Sequence, residues 1–357
     1  MGENIMATAK KERIFYFDAI RAFAILFVLL IHVSKWFVPK EVPHSLYWVF
    51  SSSLASLGNM GVPLFLMISG ALLLNRKYDL KSFFKKRFTR IFIPFIFWII
   101  IIAIFKIRYL NYDPTLDGIT QIVFFKGFVW FVWTIIGLYM FAPIINSFIR
   151  EHSFKGVEYF LAIWLITMIM ETIGIYPVKN IELRYFSGFL GYFVLGWYLS
   201  NKQFKLSDKS MMLIGAITFL VSTAVVIYLI NMQIKTWENF YLTIFPVLQA
   251  TGFYLMLEYI EKYSSKSNGS LTGRFYSFIK SSRIGKMITS ISLCSYGMYL
   301  THYFLIWCVK LKDYQFHILS RNPFIWIPIV FGATVLFSWC LIWVFSKIPY
   351  LKEVSGA

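Results

Sequence analysis

Apolar runs of about 18 residues or more, broken by short polar segments, recur along the whole chain. The pattern predicts ten helices, near 14–38, 46–75, 91–108, 127–149, 157–176, 185–200, 211–231, 240–262, 287–311 and 323–346. Runs of this length and frequency define an all-α, polytopic membrane protein of about ten transmembrane helices, in one integral membrane domain over residues 1–357. The sixth helix is short and holds Gly188, Gly191 and Gly196, which predicts close packing against a neighbour. Residues 1–13 read as a cytoplasmic tail, and 263–286, rich in Ser and Lys, as a cytoplasmic loop. The first segment follows Lys10, Lys11 and Arg13 but is too long for a signal peptide and lacks a small-residue cleavage site, so it is read as retained.

Charge orients these helices. With the N-terminus inside, the inner segments carry 23 lysines and arginines and the outer loops 11. That excess predicts both termini in the cytoplasm. The composition agrees: 58% hydrophobic, 20% aromatic and 15% charged residues, with a mean hydropathy of +0.65. The net charge of +18 does not indicate nucleic acid, because the basic residues lie between apolar spans and form no continuous stripe. Cys294, Cys308 and Cys340 all fall in apolar segments without disulfide or metal spacing, and no His, Cys and acid cluster has metal-ligand spacing.

The first helix nevertheless carries Asp18, Arg21 and His32. Such groups are costly in hydrocarbon and face a protein interior or a water-filled pocket. Arg21 and His32 are eleven residues apart, which places them on one face and roughly 16 Å apart along the axis. Asp18 lies one turn before Arg21 and can pair with it. Under the predicted topology Arg21 lies in the inner half of the bilayer and His32 in the outer half. The ninth helix also runs outward, so His302 and Tyr299 reach a depth similar to that of His32.

The motifs occur in a recognisable order. Asp18-x-x-Arg21 is followed by ten residues and His32; the second helix ends Gly61-Val-Pro-Leu-Phe-Leu-Met-Ile-Ser69-Gly70; then come Arg87-Phe-Thr-Arg90-Ile-Phe-Ile-Pro94, Trp130-Phe131 with Gly137-Leu-Tyr139-x-x-x-Pro143, Gly191-Tyr-Phe-Val-Leu-Gly196, and Ser295-Tyr-Gly-Met-Tyr299-Leu-Thr-His302. This order resembles the membrane acyltransferase 3 family of bacterial cell-surface glycan O-acyltransferases, over nearly the whole chain. The resemblance implies a multi-pass protein of the bacterial plasma membrane. It also implies acyl transfer from cytoplasmic acyl-CoA, usually acetyl-CoA, to a hydroxyl of a cell-surface or lipid-linked glycan. Essential roles are implied for Arg21 and His32, and a donor-side role for Arg87 and Arg90. Many members have a histidine where this chain has Phe128.

O-acylation needs a base or an acyl carrier, together with donors for the developing oxyanion. His32 is the candidate base or carrier; its plain alternative is a hydrogen-bonded histidine near the outer interface. Arg21 is a candidate to neutralise phosphate or orient acyl-CoA, with Asp18 tuning it; the alternative is an ion pair that helps helices pack. Residues 76–90 hold seven basic groups against Asp79. Their lysines fit anchoring on anionic lipid, whereas Arg87 and Arg90, three residues apart, fit the phosphates of CoA. Ser69 and Gly70 either admit the pantetheine arm or pack helices. Tyr299, His302, Trp130 and Glu171 complete the candidate pocket; the alternatives are bundle packing for Tyr299 and His302, an interfacial aromatic belt for Trp130 and the outer headgroup zone for Glu171. The expected partners are acyl-CoA, the glycan acceptor and membrane lipids, with no nucleic acid and no metal. A competing reading is a transporter or exporter of a glycan or lipid-linked intermediate, without covalent chemistry.

Overall fold

The computed structural model describes residues 13–38, 41–77, 79–125, 129–174, 188–233, 240–267, 270–316 and 322–357. Its principal helices are α1 (Phe15–Phe37), α2 (Leu46–Gly58), α3 (Gly61–Leu73), α4 (Leu80–Leu110), α5 (Trp130–Ile173), α6 (Leu190–Asn201), α7 (Asp208–Asn231), α8 (Ile244–Lys266), α9 (Leu271–Ser281), α10 (Arg283–Phe316), α11 (Pro323–Lys347) and α12 (Pro349–Ser355). Among the described residues there is no strand.

Several boundaries differ from the hydropathy reading for local reasons. The second predicted helix breaks into α2 and α3. Gly58 and Gly61 lie so close to α1 that a Cβ on either would stand 2.7 Å from the α1 backbone, and Pro63 sits in the first turn of α3, where its missing N–H costs nothing. The basic stretch before residue 91 is not a loop. Asp79 caps α4 by accepting from the Ser82 backbone N–H at 2.8 Å, so the helix starts at Leu80 and carries Arg87 and Arg90 on its early turns. The predicted pair 127–149 and 157–176 corresponds to the two helical halves of α5, which meet at a break at Ser153, whose φ is 53°. Residues 263–286, expected to be a loop, are mostly helical: α8 runs to Lys266, Ser270 caps α9, and α10 begins at Arg283. Leu271, Phe275 and Phe278 share one exposed face of α9, and Arg274 and Lys280 flank it, the make-up of a helix that lies in a membrane interface. The start of the sixth predicted helix, Phe128 and residues 1–12 of the expected tail lie outside the described residues.

The core forms where α1 packs against α2, α3, α8, α10 and α11, and α3 packs against α6. The short α6 is buried along nearly its whole length. Two of its glycines explain this. A Cβ on Gly196 would meet the Met67 carbonyl at 1.9 Å, and one on Gly191 would meet the Trp164 ring at 2.0 Å. Gly188, by contrast, has open space around its Cβ position. The outward faces are apolar: Ile93, Ile96, Ile100 and Ile104 form one exposed stripe on α4, and Leu213, Ile217, Leu220 and Val221 another on α7. Exposed aliphatic stripes of this kind suit lipid. Six helical stretches are long and apolar enough to cross a membrane: 15–37, 46–73, 80–110, 130–173, 208–231 and 323–347. The predicted ten counted the two halves of α5 on either side of the Ser153 break separately and included the 12-residue α6. It also included α8 and α10, which are long enough but more polar because they face the interior.

Candidate active site

Four helices, α1, α3, α5 and α10, enclose two cavities that follow one another along their length. The first, of about 220 Å³, is lined by Arg21 of α1, Ser69 of α3, Arg87 and Arg90 of α4, Tyr139 of α5, Ser292, Ser295 and Tyr296 of α10, and Gly356 after α12. No carboxylate lines it among the described residues, so three guanidinium groups and several hydroxyls face one space. The second, of about 350 Å³, is lined by Val28, Ile31, His32 and Lys35 of α1, Val62 of α3 and Trp130 of α5, with Phe189, Tyr241 and Leu242. Phe131 and Tyr299 belong to both walls. The order is the same on every helix. Arg21 and Val28, Ser69 and Val62, Tyr139 and Phe131, and Ser292 and Tyr299 are each seven or eight residues apart, about 10–12 Å of rise.

The arginine cavity is organised by a buried relay. Asp18 is almost fully buried. Its carboxylate accepts from Arg13 and from the Ser292 hydroxyl at 2.8 Å. The Ser292 Oγ in turn accepts from Arg21 Nη1 at 3.5 Å. The expected direct pair of Asp18 and Arg21 is therefore replaced by an ion pair of Asp18 with Arg13, and Ser292 bridges to Arg21. A carboxylate so occupied leaves the Arg21 guanidinium directed to the cavity.

The second cavity is organised by rings. His32 Nδ1 lies 2.7 Å from the Tyr303 Oη, and the His32 ring tilts over that of His302 at a centroid distance of 5.2 Å. His302 is fully buried. Its Nδ1 is 2.7 Å from the Tyr299 carbonyl oxygen, and because a carbonyl only accepts, that nitrogen carries the hydrogen. Trp130 adds a wall of rings with Phe189 at 5.5 Å and Tyr241 at 5.9 Å.

The expected residues divide as follows. Arg21, Arg87, Arg90 and Ser69 come together in one cavity, His32 and Trp130 in the other, and Tyr299 stands between them. His302 joins His32 by stacking and lines neither cavity. Gly70 does not open a path for a ligand arm: a Cβ there would fall 1.6 Å from the Phe193 carbonyl oxygen, so its space is filled by α6. Glu171 lines neither cavity. Sequence reasoning passed over Ser292, Tyr303, Lys35, Tyr241 and Gly356, and read Tyr139 and Ser295 as parts of motifs without giving them a place in the site. A signal existed for the α10 residues, because Ser292, Ser295, Tyr299 and His302 recur at intervals of three and four, the spacing of one helix face. For Lys35 the signal was its place one turn beyond His32.

With this geometry in view the comparison with known families is informative. Residues 14–343 match the Acyl_transf_3 family, described as an acyltransferase domain. The chain belongs to this family. The match spans every helix that lines the two cavities and supports acyltransferase activity in a membrane protein. No curated protein and no solved structure matches the chain significantly.

Proposed function

We propose that this protein is an integral membrane O-acyltransferase of the bacterial plasma membrane, with about ten spans and both termini in the cytoplasm. It moves an acyl group, acetyl in the simplest case, from cytoplasmic acyl-CoA to a hydroxyl of a cell-surface or lipid-linked glycan. The observation that carries this reading is the pair of cavities along the Arg21–His32 face: a cationic one suited to a phosphorylated donor and an imidazole-bearing, aromatic one suited to a sugar. The diphosphate and 3′-phosphate of CoA rest on Arg87, Arg90 and Arg21, where guanidinium groups make charge-assisted, bidentate bonds to phosphate. The pantetheine arm extends inward. The roughly 16 Å from Arg21 to His32 is comparable with its reach. Aromatic faces of Trp130, Phe189 and Tyr241 stack on the sugar. His32 withdraws the proton of the attacking hydroxyl or carries the acyl group itself; in either case the thioester C–S bond breaks, an ester C–O bond forms, and the hydroxyl proton ends on the released CoA thiolate.

Two expected outcomes follow. Arg90→Ala and Arg87→Ala each raise the KM for acetyl-CoA by about tenfold to a hundredfold, the loss of one hydrogen bond to a charged group, and leave kcat little changed. Steady-state kinetics on detergent-purified protein checks this; a fall in kcat at constant KM would place the arginines outside donor binding. Tyr303→Phe deletes the partner of His32 Nδ1 and lowers kcat about fivefold, a net hydrogen bond of ~1 kcal/mol, with the KM for acetyl-CoA unchanged. An unaltered kcat would remove Tyr303 from the site.

The reading as a whole is tested by mass spectrometry of surface glycans from cells with and without this protein. An acyl ester that mild base removes, present only with the protein, is the expected result. Identical glycans, together with purified protein that neither binds nor turns over acetyl-CoA, would overturn it in favour of transport without covalent chemistry.

A further inference from the structure

The two cavities meet at a wall of two rings. Phe131 and Tyr299 are the residues common to both linings. Their side chains are buried, at 7% and 3% exposure, and their rings meet edge to face with centroids 5.3 Å apart. The arginine cavity, at about 220 Å³, is smaller than the roughly 300–1,000 Å³ that holds a whole ligand. On the reading above it takes the phosphates of acyl-CoA on its arginines and the start of the arm, with the adenosine outside it. On that reading an acyl group on the arm passes these two rings, which stand in both linings, on its way to His32.

The pair is asymmetric. Tyr299 stands in α10 next to the imidazoles, its backbone carbonyl accepting from His302 Nδ1 at 2.7 Å and its hydroxyl hydrogen-bonded to the Phe131 backbone. The Phe131 side chain has no polar atom, and ring contacts hold it: Phe65 at 6.0 Å, Trp130 at 5.9 Å and Tyr299. Phe131 also stands at the second residue of α5. Of the two rings, Tyr299 thus has a polar anchor and Phe131 has none.

We propose that Phe131 and Tyr299 form the aperture between the donor and acceptor cavities, and that this aperture selects the acyl group by its cross-section. The proposal rests on the acyltransferase reading above. A straight acyl chain is no wider than the cysteamine arm that carries it, so an opening that admits the arm admits acetyl and butanoyl groups. A chain branched beside the thioester, or an aromatic acyl group, is wider than the arm and is excluded. The same ring pair separates the water of one cavity from the thioester in the other until Phe131 turns.

The test uses membranes from cells that make the full-length protein, which contain its natural acceptor. They are supplied with acetyl-, butanoyl-, 2-methylpropanoyl- or benzoyl-CoA, each labelled in the acyl group, and base-labile ester and free acid are measured separately. Wild-type protein is expected to use the two straight acyl groups and to reject the branched and aromatic ones by about a hundredfold, the range that pocket fit imposes. Phe131→Ala is expected to raise the branched and aromatic substrates at least tenfold relative to acetyl and to increase hydrolysis relative to transfer; Phe131→Leu is expected to fall between, and serves if the alanine variant does not fold. Tyr299→Phe keeps the ring and is expected to keep the wild-type acyl preference. Parallel acyl profiles in wild type, Phe131→Leu and Phe131→Ala would overturn the aperture while leaving acyl transfer intact. Wild-type membranes that form no ester from acetyl-CoA would overturn the acyltransferase reading itself, and the aperture with it.

Discussion

His32→Ala is expected to lower acyl transfer by about a hundredfold to ten-thousandfold, the contribution of a positioned general base, in protein that is still folded and still binds acetyl-CoA. Binding survives because the arginines lie in the other cavity, two to three turns of α1 away from His32. Folding survives because His32 is only partly buried and faces a cavity. His302 makes the contrast. It is fully buried, stacked on His32 and bonded to the Tyr299 carbonyl, so His302→Ala removes packing as well as any polar role and is expected to lower stability and activity together. Isothermal titration with acetyl-CoA and a labelled-acetyl assay on the same preparations separate the two. Wild-type rates in the His32→Ala protein would remove this imidazole from the chemistry.

The second large effect concerns the fold. Gly70→Leu or Gly196→Leu is expected to prevent recovery of monodisperse protein. A Cβ at Gly70 would stand 1.6 Å from the Phe193 carbonyl oxygen and one at Gly196 1.9 Å from that of Met67. The two glycines therefore form a reciprocal crossing in which the α3 and α6 backbones touch. Overpacking an ordinary core costs about 1–3 kcal/mol because side chains can shift; here the obstacle is backbone, so the helices must separate. Gly137→Ala is the control. Nothing lies within 4 Å of its Cβ position, and a helix-interior glycine exchanged for alanine gains roughly 0.5–1 kcal/mol. Size-exclusion profiles and melting curves in one detergent check all three. A well-behaved Gly196→Leu protein with an unchanged Tm would mean that α3 and α6 do not cross as described.

Much of this was legible in the sequence because the bilayer imposes simple constraints. Arg21 and His32 in an apolar helix could be placed on one face by arithmetic, and their opposite ends correspond to the two cavities. The depth match of His302 with His32 was read from topology, and their ring contact confirms that α1 and α10 meet. Other features were not legible for physical reasons. The partner of Asp18 was misread because Arg13 precedes the apolar run and was counted with the tail, whereas the chain brings it onto the carboxylate. Gly70 looked equally fit for ligand and packing, since a missing side chain serves both; the occupant of its space, Phe193, is far away in sequence. The length of α4 was hidden because hydropathy is blind to a charged helix, while the Asp79 cap marks its start. Tyr303 was overshadowed by its neighbour His302, although a tyrosine can supply the hydrogen bond an imidazole needs.

The most direct test of the central claim supplies labelled acetyl-CoA to inverted and to right-side-out membrane vesicles that contain wild-type protein or His32→Ala, and recovers base-labile label from the glycan fraction. The account predicts incorporation when acetyl-CoA reaches the cytoplasmic face, little when it reaches only the outer face, and loss of the label in His32→Ala. Incorporation that is indifferent to the face supplied, or that persists in His32→Ala, would contradict it.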